Sequence, residues 1–107
     1  MEEYYFKERR QFVRIKTNLT ARFIDSYKIE GRGFVNDVSA QGLGLFMHQY
    51  LKPQTTIELW IELPSQQKTV YLKGEVVWSK TIDFSNYRVG VQSDHVDLAS
   101  LTGFLDK

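Results

Sequence analysis

From residue 57 to residue 63 apolar and polar positions alternate without a break, with Ile57, Leu59, Ile61 and Leu63 set against Glu58, Trp60 and Glu62. Successive side chains of an extended chain point to opposite faces, so this period of two describes a strand with one face buried and the other wet. The same period recurs more weakly at Ala21 and Phe23, at Phe34, Asn36 and Val38, and at Leu43, Leu45 and Met47. It returns at Leu72, Gly74, Val76 and Trp78 and at Tyr87, Val89 and Val91. Turn-forming residues separate the runs at Glu30-Gly31, Ala40-Gln41-Gly42, Lys52-Pro53, Pro64-Ser65 and Asp83-Phe84-Ser85-Asn86. Six short strands at close, even spacing, with no sign of crossover helices, predict an all-β sandwich or barrel.

The tail from Ser93 changes period. Leu98, Leu101 and Leu105 recur at helical spacing with Phe104 on the flank, and Ser93 or Asp94 is available as N-cap. One short C-terminal helix is expected to cover part of the barrel, weakened by Gly103. Gly74 lies inside a strand pattern, where a missing side chain marks a bulge or the close approach of a ligand or backbone, although packing alone also explains it.

A chain of 107 residues, 42% hydrophobic and carrying seven Phe, six Tyr and two Trp, supports one modest core and hence one domain. It has no Cys, which removes disulfide frameworks, thiolate metal sites and thiol nucleophiles. No apolar run approaches the roughly 20 residues of a membrane-spanning helix, and Met1-Glu2-Glu3-Tyr4-Tyr5 lacks the regions of a signal peptide. A soluble cytoplasmic protein is expected.

The net charge is +1, yet residues 7 to 16 (KERRQFVRIK) sum to +4 and leave −3 for the rest. Such a block is either a solvated basic arm or an anion grip. Residues 1–16 are expected to form a flexible basic arm and 17–107 the barrel with its helix.

Two short patterns bear on that choice: Arg10-Gln11-Phe12-Val13-Arg14, an R-x-x-x-R preceded by Arg9, and Asp37-Val38-Ser39-Ala40-Gln41-Gly42, a D-x-S-x-x-G. Each is common by itself, the second being ordinary turn composition. Together they suit a guanine nucleotide. Arginine offers a planar fork of donors that matches phosphate oxygens and the O6 and N7 acceptors of guanine. Asp37 supplies an acceptor for the N1 and N2 donors of guanine, Ser39 donates or accepts beside it, and Gly42 permits close backbone approach or positive φ. Arg10 and Arg14 would point the same way about 13 Å apart in an extended arm, or share a helix face roughly 6 Å apart.

In order and separation these two patterns resemble the signature motifs of the PilZ family. Leu59-Trp60-Ile61-Glu62-Leu63-Pro64, Gly74-Glu75-Val76-Val77-Trp78 and Tyr87-Arg88-Val89-Gly90-Val91 resemble its later strands, so the resemblance spans residues 8 to about 95. It implies a six-stranded antiparallel β-barrel with a short C-terminal helix, and cyclic di-GMP as ligand. Arg10 and Arg14 would clamp guanine edges and phosphates, and Asp37, Ser39 and Gly42 would receive a guanine on the barrel surface. A basic residue at the position of Arg9 accompanies, in the family, binding of a stacked pair of nucleotides. Trp78 lies where some relatives place a side chain against a base; stacking, cation–π contact and plain core packing all remain open for it.

The resemblance further implies an effector protein as partner, leaves room for a ligand-dependent homodimer, and calls for no metal or cofactor. The expected mechanism is a switch in which the basic arm orders around the nucleotide. Trp60, alternating with Leu59 and Ile61, is expected to face outward, as a protein contact or as ordinary scattered exposure.

Enzymatic activity is not expected: His48 and His95 lack metal-ligand spacing, Ser39 sits in no nucleophile elbow, and Glu58 and Glu62 form one solvent face of a strand. A barrel for single-stranded nucleic acid is disfavoured because no basic stripe follows the strands. A ligand-independent PilZ interaction module is the remaining alternative.

Overall fold

The computed structural model describes residues 14–94 and 96–102. Among them the chain forms six strands, β1 (Ile15–Asp25), β2 (Glu30–Ser39), β3 (Gly42–Met47), β4 (Thr56–Leu63), β5 (Lys68–Asp83) and β6 (Asn86–Gln92), then a short helix α1 (Leu98–Thr102). A 3-10 turn at Pro64–Gln66 links β4 to β5. Every neighbouring pair is antiparallel, and the order β1-β2-β3-β6-β5-β4 closes into a barrel because β1 also pairs with β4, Ala21 opposite Ile61 and Phe23 opposite Leu59.

Alternation in β4 fills the interior as expected. Ile57, Leu59 and Ile61 are fully buried, and they meet Val35, Val38, Leu43, Leu45, Val76 and Val89 from the other strands. Each such side chain contributes about 1.5–3 kcal/mol through removal of apolar surface from water. Closure gives every strand a partner on both sides along at least part of its length.

Two of the period-two runs do not hold to one face. Phe34, Asn36 and Val38 share a period, yet Phe34 is half exposed and Val38 is fully buried. The cause is a bulge: Val35 opposes Leu45 and Asp37 opposes Gly44, so β2 carries one extra residue there. A second bulge separates Val76, opposite Val91, from Trp78, opposite Gly90. Val76 stays inside while Val77 and Trp78 are both exposed. Gly74, by contrast, sits in unbroken register opposite Ile57. A Cβ there would stand 2.5 Å from the Gln92 carbonyl oxygen, so of its two readings close backbone approach is the one that applies.

The first reversal comes earlier than Glu30-Gly31, which lie within β2. It falls at Ser26 and Tyr27, with Lys28 at φ 69°. Asp25 organises it: its buried carboxylate accepts from the backbone N–H of Tyr27 at 2.9 Å and of Ile29 at 3.0 Å.

At the C-terminal end the helix cap is Asp97, not Ser93 or Asp94. Asp97 accepts from the Ser100 N–H at 3.1 Å and from the Ser100 hydroxyl at 2.7 Å, while the Ser93 hydroxyl is turned away to donate to the Lys73 carbonyl at 2.8 Å. Leu101 is buried against the barrel, with Leu98 and Val96 packed beside it. Gly103, Phe104 and Leu105 lie outside the described residues. Among the described residues no helix is long and apolar enough to cross a membrane.

Candidate functional site

The two bulges shape one outer face of the barrel. On β2 the bulge turns Asp37 away from the core residues Val35 and Val38, and on β5 it does the same for Trp78. Between them run β3 and β6, whose residues on this face include Gly42, Gly44 and Gly90. These glycines form a floor with no side chains of its own, and neighbouring side chains lie across it. A Cβ on Gly44 would meet Asp37 Oδ1 at 2.9 Å, and one on Gly90 would meet the Trp78 indole at 2.3 Å.

Asp37 is the centre of the polar arrangement. Its Oδ1 accepts from Arg14 Nη1 at 2.5 Å and its Oδ2 from Arg88 Nη2 at 2.6 Å. The Asp37 side chain is only 8% exposed, against 46% for Arg14 and 31% for Arg88. A carboxylate held this far from water needs such partners, and two guanidiniums on one carboxylate leave one positive charge in excess. Asn36, with its amide turned to satisfy both ends, donates to the Gly44 carbonyl at 2.8 Å and accepts from Arg88 Nη2 at 3.1 Å. The guanidinium of Arg88 also lies over the Phe46 ring, 5.4 Å from its centroid.

Beside this cluster Arg14, Ser39, Gly42, Trp78, Gly90 and Gln92 line an open depression of about 300 Å³. Four residues singled out from sequence, Arg14, Ser39, Gly42 and Trp78, therefore meet around one cavity, and Asp37 adjoins it through Arg14. Arg9 and Arg10 lie outside the described residues.

Trp78 is not a core residue: 38% exposed, it covers Gly90 on the outer surface. Gly42 is needed because the β6 backbone passes close by, its absent Cβ falling 2.2 Å from the Val91 carbonyl oxygen. Ser39 is 2% exposed, and its hydroxyl spans the β2–β3 turn through 3.4 Å contacts with the Gly42 carbonyl and the Gln41 N–H. These are long hydrogen bonds and hold the hydroxyl loosely. The turn itself is tied to β6 by the Ser93 N–H, which donates to the Gln41 carbonyl at 2.9 Å.

Arg88, Asn36, Gly44 and Gly90 were not singled out as site residues from sequence. A signal existed for two of them: Arg88 and Gly90 alternate with the core residues Val89 and Val91 and so share the outer face of β6. Nothing local says that this face lies two strands from Asp37.

On the opposite side of the barrel Trp60 faces outward as expected. It is half-buried under Arg22, whose guanidinium lies 5.3 Å from the ring centroid, and against Tyr71 at 5.4 Å between centroids. The Tyr71 hydroxyl donates to Glu58 at 2.9 Å, which raises the Tyr71 pKa above its ordinary value.

A small closed barrel whose outer face gathers a depression, an exposed indole and paired arginines has the architecture of a surface-binding module. The PilZ domain family model matches residues 8–106, and the chain belongs to that family. Among solved structures it is similar to the PilZ domain of YcgR from Escherichia coli with c-di-GMP, at 14% identity and a TM-score of 0.66, covering 89% of this chain and 85% of that one. It is similar also to the Bacillus subtilis inhibitor of motility MotI/DgrA, at 18% identity and a TM-score of 0.63, and to MrkH of K. pneumonia in its apo state, at 14% and 0.64. These cover 92% and 85% of this chain, which spans about half of each relative, 48% and 45%. At such identities the likeness establishes the fold. No curated protein matches by sequence.

Proposed function

We propose that this chain is a receptor for cyclic di-GMP that signals to a partner protein and catalyses no reaction. The observation that carries the reading is the convergence of Arg14, Ser39, Gly42 and Trp78 on one depression beside an Asp37 already engaged by arginine. The family supports it, and so does the ligand named with the YcgR PilZ domain.

Both Asp37 oxygens accept from arginine and the side chain is only 8% exposed, so displacement of one arginine is what opens the carboxylate to guanine N1 and N2. Arg14 is the more exposed partner, 46% against 31% for Arg88, and so the one more readily displaced. Released from Asp37, its fork turns to phosphate or to the guanine Hoogsteen edge, and the carboxylate it leaves receives the N1 and N2 donors. Arg88 keeps Asp37 oriented throughout. The Trp78 indole offers a face for base stacking, and Arg9 and Arg10 add cationic forks from the basic arm. Ligand binding thereby trades an internal ion pair for one that includes the nucleotide, which is the differential contact a switch requires.

Isothermal titration of cyclic di-GMP, beside GTP, cyclic GMP and an Arg10→Ala/Arg14→Ala variant, tests the reading. Saturable heat from cyclic di-GMP alone, lost in the variant, is the expected result. Heat-silent titration with an unchanged melting temperature at high ligand would leave a ligand-independent interaction module instead.

A further inference from the structure

Toward the other end of the same outer face the surface becomes apolar. Phe34, Phe46, Met47 and Ile82 line a groove of about 330 Å³, with Arg32 at its rim. Phe34 is 50% exposed and Ile82 46%, an apolar patch of the kind that marks a contact surface. Next to it the β5–β6 hairpin ends in Phe84, 95% exposed. A Phe side chain this exposed gains from any apolar site that accepts it.

The tip that carries Phe84 is well braced. Asp83 Oδ1 accepts from Asn86 Nδ2 at 2.8 Å and from the Ser85 N–H at 3.3 Å, and the His48 ring nitrogen Nδ1 donates to the Ser85 carbonyl at 3.2 Å. These bonds tie down the turn from which Phe84 projects and so lower the ordering cost of seating it.

Knob and groove also match in charge. The knob is an aromatic residue beside the acidic Asp83; the groove is apolar with the cationic Arg32 on its rim. Both belong to one neighbourhood, since Ile82 and Asn86 of the same hairpin line the groove. Only Asp83 lies between Ile82 and Phe84 in sequence, at the end of β5. So short an offset lets two hairpins lie across a two-fold axis with each tip in the other's groove, the self-complementary relation that a two-fold interface demands.

We propose that the chain self-associates through this face, Phe84 of each copy filling the Phe34–Phe46–Ile82 groove of a second copy and Asp83 meeting the second copy's Arg32. The pairing needs no nucleotide and is independent of the receptor reading.

Sedimentation velocity of the full chain without nucleotide, from micromolar to sub-millimolar concentration, tests it. A concentration-dependent dimer is expected. Phe84→Asp weakens it by at least about thirtyfold, the scale of an interface hot spot. Asp83→Asn, which removes the charge while leaving an oxygen for the turn, weakens it less and flattens its salt dependence. Phe84 is almost wholly exposed, so far-UV circular dichroism of the variant should match the parent. A monomer throughout the range, or a dimer indifferent to Phe84→Asp, overturns the proposal.

Discussion

Asp37 Oδ2 accepts from Arg88 Nη2 at 2.6 Å across 51 residues of sequence, and the carboxylate that makes the contact lies against Gly44, where a Cβ would stand 2.9 Å from Oδ1. One ion pair thereby joins β2 to β6 over β3. The same Arg88 covers Phe46, so it stands between the polar depression and the apolar groove.

Removal of Arg88 should cost more stability than removal of Arg14, although both hold one carboxylate. Each removal leaves one Asp37 oxygen without its donor, but Arg88 is the less exposed and also donates to Asn36 and covers Phe46, so Arg88→Ala should lower unfolding free energy by about 1–3 kcal/mol. Arg14 is 46% exposed and should cost about 0–1 kcal/mol. Urea denaturation of the two variants decides the order, and equal losses would mean that the lower exposure of Arg88 and its added contacts with Asn36 and Phe46 contribute nothing.

Gly90→Ala should move Trp78 without unfolding the barrel. A Cβ at that position would lie 2.3 Å from a rigid indole, which must swing into solvent. In a Trp60→Phe background, which leaves Trp78 as the sole indole, the emission maximum should shift to the red, and cyclic di-GMP affinity should fall if the ring stacks on a base. An unshifted spectrum would place the indole elsewhere.

Arg14→Ala should weaken cyclic di-GMP binding by roughly tenfold to a hundredfold, the worth of a charge-assisted hydrogen bond. Binding by the parent should also fall as salt rises, because the basic segment and the arginine pair attract a dianionic ligand. Titration at two ionic strengths measures both effects, and salt-independent affinity would remove the arginines from recognition.

The α1 cap should be sensitive to acid. The Ser100 hydroxyl and then its backbone N–H donate to Asp97 and hold its carboxyl below the usual carboxylate range. A depressed folded value means that the cap contributes fully above the ordinary Asp range and is lost as pH falls through that lower value. The Ser100 amide resonance, followed by NMR down the acid limb, should titrate with a midpoint below that of a free Asp, and Asp97→Asn should abolish the transition. A midpoint at the ordinary value would mean that the cap is unformed in solution.

Strand content was legible because its signal is local. Ile57, Leu59 and Ile61, or Leu43 and Leu45, declare their burial by period alone, and the structure puts all five inside. The fold class and the family follow from that pattern together with the two short motifs. Where the period misleads, at Phe34 to Val38 and at Val76 to Trp78, a single extra residue enters a strand, and no local property of those residues announces it. The helix cap was missed for a similar reason: Ser93, Asp94 and Asp97 all have capping chemistry, and Ser93 is drawn instead to Lys73 on β5.

Which residues are apolar at period two, where turns cluster and that an R-x-x-x-R precedes a D-x-S-x-x-G are all set along the chain, because these are properties of near neighbours. Tertiary structure alone decided that β3 and β6 are adjacent, that two bulges turn Asp37 and Trp78 outward, and that Arg88 meets Asp37 over Gly44. Those relations depend on how six strands close into one ring, and closure is set by the summed packing of distant segments rather than by any one of them.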